Sequence, residues 1–407
     1  MLEALIKIGI MIGGVMTAAA YFVLLERKMA AWAQDRIGPN RVGIPLTNIK
    51  LFGLGQPAAD GLKILLKEAH TPSQVDKRMY LLAPIVILIA ALTVFAVIPF
   101  GSSIPPFSVG PISVDKPVEL VVAPGCGIGL LIIFALSSIA VYGVILGGWA
   151  SNSKYSFLGG LRSSAQLIAY ELPMGLGILS VVVAAGTLDL ERIIQYQANG
   201  LWFAFAQPLG FLVFMVAAFA EAARLPFDLP ECEQELVGGY HTEYSGIKLL
   251  MFLVAEYLHM VSAAFLIVIL YLGGWHLFPL TGSGTEVSWF TAIMRIGVLS
   301  GKIVLVVAFF MLVRWSWPRF RFDQLMALGW KVMLPLGLAN FVIMAVLFEV
   351  RHMFDPKSES LMWASMVLVI SWLVAGLAWV GSSLAGTSVT DNTPRLDLSA
   401  TEIDSQV

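Results

Sequence analysis

The chain has 407 residues, of which 58% are hydrophobic and 13% charged, with a formal net charge of −2. Soluble domains carry about 25% charged residues, so a water-solvated globular enzyme is excluded and an all-α polytopic membrane protein is expected. The balance offers no basic surface for a nucleic-acid partner, and the two cysteines, Cys126 and Cys232, have no metal-binding spacing and imply neither disulfide nor cluster.

Nine stretches are apolar enough to span a bilayer at roughly 20 residues each: 4–25, 81–99, 118–147, 161–185, 201–220, 249–272, 301–313, 332–350 and 361–381. The first runs directly into Glu26, Arg27 and Lys28 and has no basic leading region, so it reads as a retained span and not a signal peptide. The polar segment 26–80 follows, with Gly-Pro and Pro-Leu turns around 38–46. Within it, 58–67 is amphipathic: Leu62, Leu65 and Leu66 oppose Asp60, Lys63 and Lys67, as expected of a helix on the membrane surface or against a partner. Pro99, Pro105, Pro106 and Pro111 make the next connection stiff and extended. Cys126 is expected inside the third span and Cys232 in a loop. The stretch 301–313 reaches full length only if 293–300 or 314–317 joins it.

Alternate polar segments hold 18 of the 25 Lys and Arg residues: 26–80, 150–162, 221–248, 314–331 and the tail. The positive-inside rule then puts the N-terminus outside and the tail inside, which requires an odd number of spans. Nine satisfies that parity, although eight, without 361–381, leaves the richest basic loops undisturbed. Residues 1–385 read as one helical membrane domain and 386–407 as a loose cytoplasmic tail.

Glu171 lies deep in the fourth stretch and Glu256 in the sixth. A carboxyl at membrane depth is costly unless it meets a cavity or a partner, so both are candidates for function; the plainer reading is a packing hydrogen bond to Tyr, Ser or backbone. The loop 221–246 carries Glu221, Asp228, Glu231, Glu233, Glu235 and Glu243 against Arg224 alone, six acids to one base or −5. Leu225, Phe227, Leu229 and Leu236 thread between these acids, which implies a partly buried network with coupled titration. Pro226, Pro230 and Gly238-Gly239 break regular helix there, and broken backbone at membrane depth lines a cavity or packs on protein. Arg27, Arg36, Arg41, Lys63, Arg224, Arg314, Arg319 and Arg321 gather on the same expected face. A charged mouth above a few buried acids suits a cavity open to the cytoplasm, and also a docking face for a soluble subunit.

Five strings carry a resemblance: ERKMAAWAQDRIGPNRVG from Glu26, QPAADGLKILLKE from Gln56, GWASNSKYSFLGGLRSSAQLIAYELP from Gly148, EAARLPFDLPECEQELVGGYHTEYSG from Glu221 continuing to AEYLHM, and RWSWPRFRFDQLMALGWKVMLPL from Arg314. In order and spacing the chain resembles the respiratory complex I subunit 1 family, which includes the bacterial NADH-quinone oxidoreductase counterparts of the mitochondrial protein. The resemblance implies a membrane subunit that anchors the peripheral redox arm, forms much of the quinone chamber and couples quinone reduction to proton translocation. It implies no catalytic residue, metal or cofactor on this chain: flavin and iron–sulfur clusters belong to partner subunits, and quinone is the substrate. The implied partners are peripheral-arm soluble subunits near the terminal iron–sulfur cluster, antiporter-like and small membrane-arm subunits, and lipids, all at the cell inner membrane.

Carried over by motif, Glu26, Arg27, Arg36, Asp60, Lys63, Arg224, Asp228, Glu231, Glu233 and Glu235 are quinone-chamber candidates. Glu171, Glu221, Glu243, Tyr244, Glu256 and Tyr257 are proton-coupling candidates, with Glu68, Tyr155 and Arg162 on adjoining motifs. The family usually begins the acidic loop Glu-Thr-Asn-Arg, whereas this chain has Ala222 and Ala223 and so lacks two hydrogen-bonding side chains. Residues 44–52 are also an insertion relative to the family pattern. The rival readings are the ion-translocating anchor of a membrane-bound hydrogenase-type complex, which expects an occluded entrance, and a stand-alone transporter, which expects inverted repeats.

Overall fold

Apolar segments that lose contact with water must satisfy their backbone amides internally, and helices do so. The computed structural model describes residues 2–43, 52–109, 112–114, 117–228, 237–277, 280–282, 288–354 and 361–385. It is helical: α1 (Leu2–Ala33), α2 (Gln56–Leu65), α3 (Lys77–Val94), α4 (Gly129–Ala150), α5 (Lys154–Ala185), α6 (Leu190–Ala198), α7 (Phe203–Ala206) and α8 (Pro208–Glu221) precede the acidic loop. A 3-10 turn (Gly239–His241), α9 (Gly246–Tyr271), α10 (Trp289–Ser316), α11 (Phe322–Ala327), a π segment (Leu328–Met333), α12 (Leu334–Phe354) and α13 (Leu361–Ala385) follow. Among the described residues, seven helices are long and apolar enough to cross a membrane, counting α11 through α12 as one. Two further apolar segments, Pro208–Glu221 and Val367–Ala378 within α13, are shorter.

The α3–α4 connection is extended, as its prolines require. β1 (Ser103–Ile104) pairs antiparallel with β4 (Val118–Glu119), and β2 (Phe107–Val109) with β3 (Ile112–Val114), one ladder nested inside the other. The expected third span therefore starts later, at Gly129. Pro124, Gly125 at φ +68° and Gly127 break the helix before it, and Cys126 falls in that break, half-buried. The stretch 201–220 is divided at Gln207-Pro208, leaving 14 residues in α8, about 21 Å at 1.5 Å per residue. The seventh stretch runs longer than its apolar core, from Trp289 to Ser316. Two of its three cations, Lys302 and Arg295, find backbone partners. Lys302 donates to the carbonyls of Leu272, Gly274 and His276 at 2.6, 3.0 and 2.7 Å, and Arg295 to Thr281 at 3.3 Å.

The core surrounds α9, where every residue from Met260 to Tyr271 is buried. It packs against α3, α10, α1 and α8, while α5 packs against α4, α8 and α12. Gly159 permits one close approach: a Cβ there would stand 2.6 Å from the carbonyl carbon of Gly239, so the 3-10 turn lies directly on α5. Buried Gln166 on α5 donates to the carbonyls of Ala220 at 2.9 Å and Phe227 at 2.7 Å, pinning both ends of the turn that carries Arg224. Tyr170 donates to the Leu325 carbonyl at 2.9 Å, just before the π segment, a distortion common at functional sites.

Candidate functional site

Four elements enclose a cleft of about 910 Å³: the C-terminal half of α1, α2, the first turns of α9 and the end of α10. Its volume lies near the upper end of the range for small-molecule pockets, roughly 300–1,000 Å³. Met16, Val23, Ile64 and Leu253 give it an apolar wall, and Glu26, Arg27, Arg36, Asp60, Tyr257 and Arg314 the polar groups. Arg27 donates to Asp60 at 2.6 Å and Gln56 to the same carboxylate at 3.1 Å, tying α2 to α1. No residue of α2 is buried, and Leu62, Leu65 and Leu66 are exposed. Lys63 is exposed too and does not line the cleft.

At the deep end of the cleft sits Glu26, buried, with both carboxylate oxygens engaged. Arg314 bonds Oε1. Tyr257 donates to Oε2 at 2.6 Å and Arg224 to the same oxygen at 3.4 Å. Arg224 is itself buried, lies over the Tyr257 ring at 4.3 Å and reaches Glu256 with Nε at 3.2 Å. Buried carboxylates are tolerated when paired and hydrogen-bonded, and here two acids share two guanidiniums across α1, α9, α10 and the acidic loop.

Glu256 faces a second, smaller cavity of about 60 Å³, which Glu171 on α5, Glu221 at the end of α8, Ser137 on α4, Tyr240 and His259 also line. One buried water needs roughly 10–15 Å³, so this chamber accommodates water. Adjacent hydroxyls on α4 line this wall: Ser138 bonds Glu171, and Ser137, which donates to the Phe134 carbonyl at 2.9 Å, lines the chamber with Glu221. Pro173, two residues beyond Glu171, supplies no amide hydrogen to the helix ladder. Ala222 and Ala223 also line the chamber, with Ala223 at φ +49°, a conformation in which Asn is enriched several-fold among non-glycine residues.

Sequence reasoning thus named residues that the fold assembles in two groups, Glu26, Arg27, Arg36, Asp60 and Tyr257 around the cleft and Glu171 and Glu221 around the chamber, with Arg224 and Glu256 between. Other candidates lie elsewhere. Asp228 bonds Arg319 at 2.8 Å. Tyr244 stacks on Tyr80, ring centroids 4.1 Å apart, and burial raises its phenol pKa; the neighbouring Glu243 offers its carbonyl to the Tyr80 hydroxyl at 2.7 Å. Arg162 lies over the Phe322 ring at 5.8 Å, and Glu68 and Tyr155 are exposed. Glu231, Glu233, Glu235 and Cys232, residues 44–51 of the insertion 44–52, and the tail from 386 lie outside the described residues. Sequence reasoning missed Gln166, Ser137, Ser138 and His259. Paired hydroxyls mid-span and a histidine one turn beyond Glu256 were the available signals.

A family model described as NADH dehydrogenase matches residues 6–345, across all the elements that build the cleft and chamber. The chain belongs to that family. Among its relatives, an H-type NADH-quinone oxidoreductase subunit of Syntrophotalea carbinolica is 46% identical over 340 residues, covering 84% of this chain and 94% of that one. An H-type subunit of the Geobacter metallireducens NADH-quinone oxidoreductase is 45% identical over 350 residues, with 85% and 97% covered. Subunit 8 of the Rhodothermus marinus enzyme is 44% identical over 347 residues, with 83% and 94% covered. Family membership thus rests on nearly the whole membrane domain and not on one motif.

Proposed function

We propose that this chain is the membrane subunit of a proton-translocating NADH:quinone oxidoreductase, forming the quinone chamber and coupling quinone reduction to proton movement. The observation that carries the reading is the shared Glu26–Arg224–Glu256 network, which joins an open, largely apolar cleft to a chamber lined by three carboxyl side chains. A quinone needs an apolar passage for its tail and polar groups for its head, and its reduction takes up two electrons and two protons. The cleft has that chemistry: aliphatic walls from α1 and α9, and Arg27, Asp60 and Tyr257 toward the ionic end. Its openness favours quinone over the occluded entrance of the hydrogenase-type alternative.

In this reading electrons arrive from an iron–sulfur cluster in a soluble partner docked on the charged face, so the chain does not oxidise NADH alone. Charge appearing on the quinone head competes with Glu26 for Arg224 and Arg314, and the released balance passes through Glu256 to Glu171 and Glu221. Asp228, with the acidic segment 229–236, belongs to the docking and chamber face, and antiporter-like and small subunits flank the other helices. The chain sits in the cell inner membrane with nine spans, the seven long helices plus α8 and α13, its N-terminus outside and C-terminus inside. A photoreactive quinone analogue applied to the intact complex tests this: label on α1, α2 or the start of α9 is expected, and label confined to the opposite end of the bundle would refute both chamber and orientation.

A further inference from the structure

We propose that His259 is the proton-relay group of the small chamber, the side chain that lets a proton cross between Glu256 on one wall and Glu171 and Glu221 on the other. The inference rests on the coupling role proposed above and adds a residue to it. His259 lies three positions beyond Glu256 on α9, which places both on one helix face. It lines the chamber together with all three carboxyl groups. The residue is half-buried and forms part of the chamber wall.

The chamber's chemistry leaves it a specific gap. An ionised carboxylate only accepts hydrogen bonds. Ser137 and Ser138 each donate to the Phe134 carbonyl, Ser138 also bonds Glu171, Glu256 is held by Arg224, Ala222 and Ala223 contribute no polar side chain, and Ser163 and Tyr240 offer only a single hydroxyl oxygen each. A proton crossing such a set is carried most directly by a group that accepts at one atom and donates from another. Neutral imidazole does this, since one ring nitrogen carries a hydrogen and the other a lone pair. In the relay step, chamber water protonated from the Glu256 side delivers a proton to the free ring nitrogen. The hydrogen on the other nitrogen leaves to water on the Glu171 and Glu221 side, and the ring is left neutral in its other tautomer. A return proton or a ring flip restores the start, with no net change in charge.

The test uses the intact complex in inner-membrane vesicles carrying His259→Gln, His259→Asn or His259→Ala, with assembly verified by electron transfer from NADH to an acceptor that bypasses quinone. His259→Gln and His259→Asn retain polarity and most of the volume but cannot cycle a proton. Quinone-linked turnover and proton uptake should fall at least about tenfold, against the roughly 10²–10⁴-fold that general acid–base groups contribute, with a larger solvent deuterium isotope effect. In His259→Ala, added imidazole should restore turnover, whereas pyrrole, similar in size but without a basic nitrogen, should not. Wild-type turnover, pumping and isotope effect in the Gln or Asn variant would overturn the relay while leaving the quinone reading intact. Should no variant assemble, infrared difference spectra of the wild type during quinone reduction decide, with bands that shift on histidine isotope labelling expected and their absence overturning the proposal. A wild-type complex unable to reduce quinone would remove the parent reading itself.

Discussion

Replacing Glu26 by Gln keeps an acceptor for the Tyr257 hydroxyl but removes a charge from a set that sums to zero: Glu26 and Glu256 against Arg224 and Arg314. At an effective dielectric of about 20, unit charges 3.4 Å apart, as in Glu26–Arg224, attract by about 5 kcal/mol. The desolvation already spent on both ions is not recovered when one is deleted, so breaking a buried pair costs about 3–5 kcal/mol. Arg314, at 24% exposure, is screened more than Arg224 at 6%, which puts most of that cost on the Arg224 contact. Arg224→Gln leaves the set at −1 where Glu26→Gln leaves it at +1, and the double variant returns it to zero. Steady-state kcat/KM for a short-tail quinone, measured on all four forms of the intact complex, yields the coupling directly. Each single variant should lose tenfold or more, with the double variant recovering a coupling of roughly 2 kcal/mol, about thirtyfold. If the two losses simply multiply, within the roughly 0.5 kcal/mol expected of independent sites, charge neutrality is not what organises the network and the coupling argument fails.

Glu171→Gln retains the acceptor for Ser138 but not the titrating proton, so assembly should persist while quinone-linked proton pumping falls, read as the pH change in vesicles; unchanged pumping would remove Glu171 from the path. Gly159→Ala would drive a Cβ to 2.6–2.7 Å from the backbone of Gly239 and Tyr240, an overpacking cost of about 1–3 kcal/mol; the midpoint of thermal inactivation should drop, and wild-type stability would show that the turn is not held against α5. Away from the chamber, burial, with Glu119 and Asp189 adding, pushes the Glu191 carboxyl up to about 7. The folded state then holds more protons than the unfolded chain between the ordinary carboxylate range and about pH 7, so stability falls as pH rises through that window. Glu191→Gln should flatten this slope in thermal inactivation measured across pH, and an unaltered slope would refute it.

The long apolar helices were readable because a bilayer leaves no other conformation for such segments, and Glu171 and Glu256 stood out because carboxyls are rare at that depth. What composition could not provide was the partner of each group. Arg295 truncated the expected seventh span because a cation argues against membrane depth until the carbonyl that receives it is known, and this one comes from the α9–α10 connection. The expected third span began at 118, yet Pro124 and the neighbouring glycines turn residues 120–128 into the approach to α4. The same limit applies at the site. Glu26 could be named from its motif, but its bonds to Arg224, Tyr257 and Arg314 cross 198 to 288 residues of chain and depend on how four elements rotate against one another. Gln166 carried no sequence signal, because a glutamine on a buried helix face has meaning only once two orphaned carbonyls meet it.

The division of labour between the two cavities follows from their sizes and polar groups. Quinone fits only the larger, and the smaller, at about 60 Å³, admits little beyond water. Their link must therefore move charge and not the ligand. In the proposed reading Arg224 suits that role because it cannot be deprotonated in a protein: it gives up no proton and instead divides its positive charge between its ion pairs with Glu26, which lines the cleft, and Glu256, which lines the chamber. In the proposed reading, negative charge gained in the cleft reaches Glu256 through the shared guanidinium, so that reduction on the quinone side is linked to proton uptake on the water side. A lysine in place of Arg224 could lose its own proton and short-circuit the exchange, and it lacks the fork that reaches two carboxylates at once. Arg224→Lys should therefore uncouple more than it slows, lowering the protons pumped per electron, and a preserved ratio would argue that the two cavities communicate by another route.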